Sequence, residues 1–123
     1  MSLLAGLVVL SHWSLDLLVH RPDLTIAGDP PKYGVGLWNY PAVEMPLELL
    51  LTFGALAVFL ARTRGPALPA VVLGAVLLLV QAINWFGPEP EAVTPALSYT
   101  AFFAYGLTTL AAWWLGRTRR AKP

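Results

Sequence analysis

Four apolar stretches of the chain are long enough to cross a lipid bilayer. A spanning helix needs about 20 mostly apolar residues, because the hydrocarbon layer is roughly 30 Å thick and each helical residue rises about 1.5 Å. Proline, glycine or charged residues bound each stretch and predict where the helices end. The pattern predicts an all-α integral membrane protein, a single domain with four transmembrane helices over residues 2–20, 42–61, 67–86 and 95–116.

The connection between the first and second predicted helices is longer than the other two connections. It covers residues 21–41 and contains the aromatic residues Tyr33, Trp38 and Tyr40 among several prolines and glycines. A loop of this length in a compact protein usually has a structure or function of its own. It is interpreted either as a folded lid over the outer mouth of the helices or as a loop that aromatic side chains anchor at the membrane interface.

Composition and charge agree with a membrane protein and exclude other classes. The 123 residues are 57% hydrophobic and 12% charged, with a mean hydropathy of +0.64, which is more apolar than a typical soluble domain. A formal net charge of +1 provides no electrostatic field for nucleic acid, and the absence of cysteine excludes disulfides and thiolate metal sites. Six of the eight Lys and Arg residues lie at 62–64 and 117–122. The positive-inside rule therefore predicts that both termini are cytoplasmic.

Ionisable and amide side chains recur within the apolar segments at helical spacing. They are His12, Asp16 and His20 on the first helix, Glu44 and Glu48 on the second, and Gln81 and Asn84 on the third. Residues three or four apart share one face of a helix. Counting from the helix ends places these groups at matching depths in the outer half of the membrane. Such groups are costly in lipid, so the sequence predicts a shared polar cavity.

Imidazole and carboxylate groups favour a metal site, because they are the usual ligands of zinc, manganese and iron. His12 and Asp16 are four residues apart and can share one divalent ion such as zinc, with Glu48 or a residue from another chain as a further ligand. His20 is another candidate ligand, but it lies about 12 Å from His12 along the helix, too far for one ion to bind both. In a hydrolytic enzyme, Glu48 or Glu44 would accept the proton of a metal-bound water.

Two other interpretations of the same residues remain open. In the first, Asp16 accepts a hydrogen bond from His12 or His20, and the two amides of the third helix bond the two glutamates of the second, which makes a polar clasp between helices. In the second, His12 or His20 is an axial ligand of haem or of a chlorophyll-type pigment.

A short motif on the first helix carries a family resemblance. Ser11-His12-Trp13-Ser14-Leu15-Asp16 resembles the Ser-His-x-x-Leu-Asp motif of the bacterial inner-membrane proteins called metal-dependent hydrolase-like. Further similarity to a branch of that group lies at His20-Arg21-Pro22-Asp23-Leu24, Gly36-Leu37-Trp38-Asn39, Pro41 and Glu48. The resemblance covers about half of the chain, residues 7–60.

The resemblance implies that His12 and Asp16 are metal ligands and that the chain lies in the bacterial inner membrane. Members of this group usually have a preceding membrane half with further histidines, so the chain is similar to a shortened member. One hypothesis is a metal-dependent membrane enzyme that acts on a lipid-like substrate through His12, Asp16 and Glu48. The other is a non-catalytic small subunit or scaffold that binds other membrane subunits or further copies of itself.

Overall fold

The computed structural model describes residues 2–26, 28, 30–88 and 94–123, and 74% of the protein is helical. In this part of the chain the helices are α1 Ser2–Val19, α2 Pro41–Arg62, α3 Leu68–Phe86 and α4 Pro95–Thr118. A 3-10 turn at Leu37–Asn39 precedes α2, and two short strands, β1 Thr63–Arg64 and β2 Arg120–Ala121, follow α2 and α4. The predicted all-α fold with four helices is confirmed.

Two of the helices have the length and composition of membrane spans. These are α2 and α3, which contain 22 and 19 residues. Among the described residues, these two helices are long and apolar enough to cross a membrane. The apolar part of α1, Gly6–Val19, is shorter than a typical span. Helix α4 contains 24 residues, but hydroxyl groups interrupt its apolar sequence at Tyr99, Thr100, Tyr105, Thr108 and Thr109.

The chain divides into two compact units, Met1–Thr52 and Phe53–Pro123. The first unit contains α1, the loop that follows it and the first half of α2. Inside the loop, Leu24 and Tyr33 form an antiparallel bridge, in which the Leu24 N–H donates to the Tyr33 oxygen at 3.1 Å and the Tyr33 N–H donates to the Leu24 oxygen at 2.7 Å. This bridge folds the loop back on itself, so the loop has a structure of its own.

The loop also completes the end of α1. The last carbonyls of a helix have no partners within the helix. Here the Val35 N–H donates to the Leu17 oxygen and the Gly36 N–H donates to the His20 oxygen, both at 2.8 Å. Gly34 permits this approach, because a Cβ atom at this position would overlap the carbonyl oxygen of Arg21. The loop therefore contacts the end of α1 through residues 34–36.

The core of the second unit lies where α3 packs along α4. Ala70 and Leu73 of α3 and Ala111 and Leu115 of α4 are buried together. Small side chains such as Ala70 and Ala111 let helix backbones approach closely, which increases van der Waals contact. Three partly buried leucines pack against this cluster from α2 and α3, namely Leu56, Leu60 and Leu77.

The guanidinium group of Arg119 ties the end of α4 to the α2–α3 connection. Its Nε donates to Thr63 Oγ1 at 2.8 Å, and its Nη2 donates to the carbonyl oxygens of Thr63 at 2.9 Å and Leu60 at 3.4 Å. Its Nη1 donates to the carbonyl oxygens of Gly65 and Pro66, both at 3.1 Å. All five N–H donors of the side chain are thus used, and a cation at the C-terminal end of α2 is also favoured by the helix dipole.

A short sheet continues this connection beyond Arg119. Strands β1 and β2 are antiparallel, with Thr63 opposite Ala121 and Arg64 opposite Arg120. Lys122 adds two bonds, from its N–H to the Arg62 oxygen at 2.9 Å and from its Nζ to the Ala61 oxygen at 2.8 Å. We call residues 119–122 with the carbonyls that they bond the C-terminal clasp.

We expect Arg119→Lys to lower the unfolding free energy by about 2 kcal/mol, because lysine has no planar fork and leaves several carbonyls of the C-terminal clasp unpaired. Thermal unfolding in detergent, followed by circular dichroism, measures the change. Arg117→Lys is the matched control, because the Arg117 guanidinium lies over the Trp113 ring at 5.2 Å and bonds no carbonyl of the clasp. Equal losses in the two variants would contradict the role assigned to Arg119.

Candidate functional site

The first pair of predicted site residues lies on one face of α1. His12 and Asp16 are four residues apart, and one helical turn brings His12 Nε2 to 3.4 Å from Asp16 Oδ2. The His12 side chain is 79% exposed and the Asp16 side chain 36% exposed. The two groups therefore satisfy each other in part, and His12 is exposed while Asp16 is half-buried.

The hydroxyl groups of the two serines in the same motif donate hydrogen bonds to carbonyl groups of the helix. Ser11 Oγ donates to the Val8 oxygen at 2.8 Å, and Ser14 Oγ donates to the Leu10 oxygen at 3.0 Å. A serine that bonds a carbonyl of the preceding turn hides its polarity within the helix. The polar character of this stretch of α1 therefore comes from the imidazole and the carboxyl group.

His20 lies in a separate environment just beyond the end of α1. Its Nδ1 is 3.3 Å from Asp23 Oδ1, and its ring meets the Trp38 ring edge-on, with centroids 5.1 Å apart and an interplanar angle of 71°. The Arg21 Nε donates to Asn39 Oδ1 at 2.9 Å, which holds the 3-10 turn beside the end of α1. The loop thus builds a small polar and aromatic cluster around His20.

The two glutamates lie on the first turns of α2. Glu44 belongs to the first turn and is 1% exposed, and its Oε2 has no hydrogen-bond partner among the described residues. Glu48 is half-buried one turn later. Burial of an unpaired carboxyl group is costly, whereas the unpaired N–H groups at a helix N-terminus favour negative charge nearby. Position in the first turn therefore offsets part of the cost of burying Glu44.

The two amides lie in the second unit, near the end of α3. Gln81 is half-buried and Asn84 is exposed. Their spacing of three residues places them on one side of α3. The predicted bonds between these amides and the glutamates of α2 stay a prediction.

The predicted metal ligands do not come together as a group of three among the described residues. The described part of the chain contains no group of three or more His, Asp or Glu side chains that could hold a metal ion. Catalytic zinc sites usually have three protein ligands, whereas the His12–Asp16 pair supplies two donors. The metal roles predicted for His12, Asp16 and His20 and the catalytic roles predicted for Glu44 and Glu48 stay predictions.

Three contacts near the end of α1 were not anticipated from the sequence, namely His20 with Asp23, His20 with Trp38 and Arg21 with Asn39. The spacing of Asp23, three residues after His20, is a local signal that could have indicated their contact. Trp38 lies eighteen residues after His20, and Asn39 eighteen residues after Arg21, so nothing in the local pattern identifies these partners.

Comparisons with protein-family models, with curated proteins and with solved structures found no match for this chain. The resemblance of the Ser11–Asp16 motif to the metal-dependent hydrolase-like proteins therefore stays a prediction.

We expect Gly34→Ala to lower the unfolding free energy by about 1 to 3 kcal/mol, because the added Cβ displaces the loop from the carbonyls of α1. Hydrogen exchange at the Val35 and Gly36 amides should accelerate, and mass spectrometry of the exchanged peptides measures it. Gly6→Ala is the control, because a Cβ there meets no atom within 4 Å and alanine favours the helix. Unchanged exchange in Gly34→Ala would show that this close approach does not hold the loop.

Proposed function

We propose that the chain is a non-catalytic subunit of a larger membrane protein complex, and that α1 binds a membrane-spanning helix of another subunit through His12 and Asp16. The observation that carries this proposal is the exposure of His12, paired with the half-buried Asp16, on a largely apolar helix. The proposed partner helix presents polar side chains at the depth of the pair.

The surroundings of the pair on α1 support this proposal. Leu7, Val8 and Leu15 are exposed near the pair, so polar groups protrude from a surface that suits lipid. An ionisable side chain at bilayer depth costs several kcal/mol in contact with lipid, and such residues almost always face protein or water. Interhelical hydrogen bonds and close packing drive association of helices in membranes. A polar partner helix would therefore be favoured at this surface over lipid.

The proposal includes four membrane spans in the bacterial inner membrane, with both termini in the cytoplasm. The apolar helices α2 and α3 support the membrane location. The pairing of β1 with β2 supports the orientation, because it places the basic residues near 62–64 and those near 117–122 at the same end of the second unit. Basic residues concentrate on the cytoplasmic side of membrane proteins.

The loop between α1 and α2 would then lie at the opposite membrane surface. Tyr33, Trp38 and Tyr40 are exposed on it. Tyrosine and tryptophan prefer the headgroup region, where the ring is in contact with lipid and the polar atom with water. These side chains support an interfacial loop that is also folded against α1.

Single-cysteine variants test the partner surface, because the natural chain contains no cysteine. Position 8, changed in Val8→Cys, lies four residues before His12 on the same side of α1. Position 10, changed in Leu10→Cys, lies about 160° around the helix from His12. Both positions are exposed. In native membranes, a photoreactive maleimide at position 8 should give a discrete cross-linked product of higher mass, and the same label at position 10 should give little.

The double variant His12→Leu/Asp16→Leu should abolish the cross-link from position 8 while the protein stays in the membrane fraction. Equal cross-linking from positions 8 and 10, or a cross-link that survives the double variant, would contradict the proposed surface. A cross-linked product that contains two copies of this chain would show that the partner is a second copy and not a different subunit. A stoichiometric metal ion that is lost in both His12→Ala and Asp16→Ala would favour the metal-dependent enzyme instead.

The orientation has its own test. In intact cells of a Gram-negative host with a permeable outer membrane, Lys32→Cys should react with a membrane-impermeant maleimide, because its loop is predicted to face outward. Pro123→Cys should react only after the inner membrane is opened. Labelling of position 123 in intact cells would overturn the proposed orientation.

A further inference from the structure

Helix α4 has a second side with the spacing of a helix–helix contact. Its first side buries Ala111 and Leu115 in the core of the second unit. The second side lies about 120° around the helix, and its residues follow each other at alternating intervals of four and three. This is the spacing of residues along the line of contact between two packed helices. We call this side the α4 seam. Its residues, all exposed, are Ser98, Phe102, Tyr105, Thr109, Ala112 and Gly116.

The hydroxyl groups of the α4 seam have no hydrogen-bond partner among the described residues. Elsewhere on the helix, Thr100 Oγ1 donates to the Ala96 oxygen at 2.9 Å, so the helix itself satisfies that hydroxyl. The hydroxyls of Ser98, Tyr105 and Thr109 make no such bond within the described part of the chain. The phenol oxygen of Tyr105 lies at the far end of its ring, so it cannot bond the preceding turn as a serine or threonine does.

Two of these hydroxyls lie in the central turns of α4. The helix runs from Pro95 to Thr118, and Tyr105 and Thr109 are near its middle. If α4 spans the membrane, both hydroxyls are at the depth of the hydrocarbon layer, where lipid offers no hydrogen bond. An unpaired hydroxyl is costly there. The central part of the α4 seam therefore favours a polar partner over lipid.

The C-terminal part of the α4 seam is suited to close approach by another helix. Ala112 and Gly116 have the smallest side chains of the seam, and a Cβ atom at Gly116 would meet no atom within 4 Å. Small residues allow two helix backbones to come close, and the resulting van der Waals contact drives association in membranes. Hydroxyl side chains that bond across helices contribute to the same association. The α4 seam thus combines both features of a membrane helix interface.

The chemistry of the α4 seam matches a second copy of the same helix. All copies of one chain enter the membrane in one orientation, so two copies of α4 related by a twofold axis run parallel. Identical residues then lie at the same depth. A hydroxyl group is both a donor and an acceptor, so each hydroxyl of the seam can bond the same hydroxyl of the other copy. Residues 95–116 contain no charged residue, so no repulsion between like charges opposes this pairing.

We propose that two copies of the chain associate through the α4 seam. The hydroxyls of Tyr105 and Thr109 bond across the twofold axis, and Ala112 and Gly116 bring the two backbones into contact. The proposal rests on the membrane spans proposed above, but it does not depend on the partner of α1. The α4 seam is also separate from the His12–Asp16 pair, so the chain has one surface for each partner.

The test uses the purified full chain in phosphatidylcholine vesicles, with donor or acceptor dye on the single cysteine of Pro123→Cys. Energy transfer at increasing lipid-to-protein ratio measures association. Tyr105→Phe/Thr109→Val should weaken association about tenfold, because one interhelical hydrogen bond contributes about threefold. Tyr99→Phe/Thr100→Val removes the same two kinds of hydroxyl outside the α4 seam and should weaken association less than twofold.

A larger side chain tests the close contact. Ala112→Leu should weaken association at least tenfold, because it separates the two backbones. Ala96→Leu makes the same change about 160° around the helix and should have little effect. Both positions are exposed, so neither change disturbs the core of the chain, and circular dichroism checks the helix content.

Disulfide formation tests the same contact in native membranes, because the natural chain contains no cysteine. On mild oxidation, Ala112→Cys should form a covalent dimer of the chain. Leu110→Cys lies at nearly the same depth but about 160° around the helix, and it should form little. Mass spectrometry of the product identifies both of its chains.

The proposal is wrong if the two hydroxyl double variants lose association equally, or if the disulfide forms equally from positions 110 and 112. Loss of association in vesicles of His12→Leu/Asp16→Leu would also overturn it, because the copies would then meet through α1. Absence of the cross-link from position 8 contradicts only the proposed partner of α1. Release of the chain from native membranes by alkaline extraction would contradict the membrane location, and with it the pairing through the α4 seam.

Discussion

The carbonyl groups at the C-terminal end of a helix need partners, and both units of this protein meet that constraint with a segment from elsewhere in the chain. At the end of α1 the partners are the backbone amides of Val35 and Gly36. At the end of α2 they are the side chain of Arg119 and both donors of Lys122. Because unpaired carbonyls are costly where water is scarce, these bonds determine where the loop and the C-terminal segment lie.

These two sets of hydrogen bonds at the helix ends also affect where the charged residues lie. The bonds of Val35 and Gly36 bring Trp38 to the ring of His20, and they leave the His12–Asp16 pair further back along α1. The second set gathers basic residues at one end of the second unit and uses one of them as a structural element. The two regions thus differ in kind, because one holds an imidazole beside a carboxyl group and the other holds several basic residues.

Local pattern predicted the fold, and it predicted part of the candidate site. Apolar length and the flanking prolines and glycines identify four helices, because helix formation depends on neighbouring residues. A spacing of four residues likewise anticipates that His12 lies close to Asp16. The bonds of Arg119 to Thr63 and Gly65 cross more than fifty residues, and the basic residues of that segment read equally well as signals of orientation. Nothing in the local sequence distinguishes an arginine that bonds a distant segment from one that is only exposed, so tertiary contacts of this kind require the structure.

The C-terminal clasp also bears on the order in which the second unit assembles during synthesis. Arg119 leaves the ribosome after all of α2, α3 and α4, so the carbonyls of Leu60, Thr63 and Gly65 wait for their partner while two further helices are made. Helices that are synthesised one after another can therefore adjust their packing before the last of them is fastened. The bonds of Arg119 thus join the end of α4 to the end of α2 only after all three helices have been made.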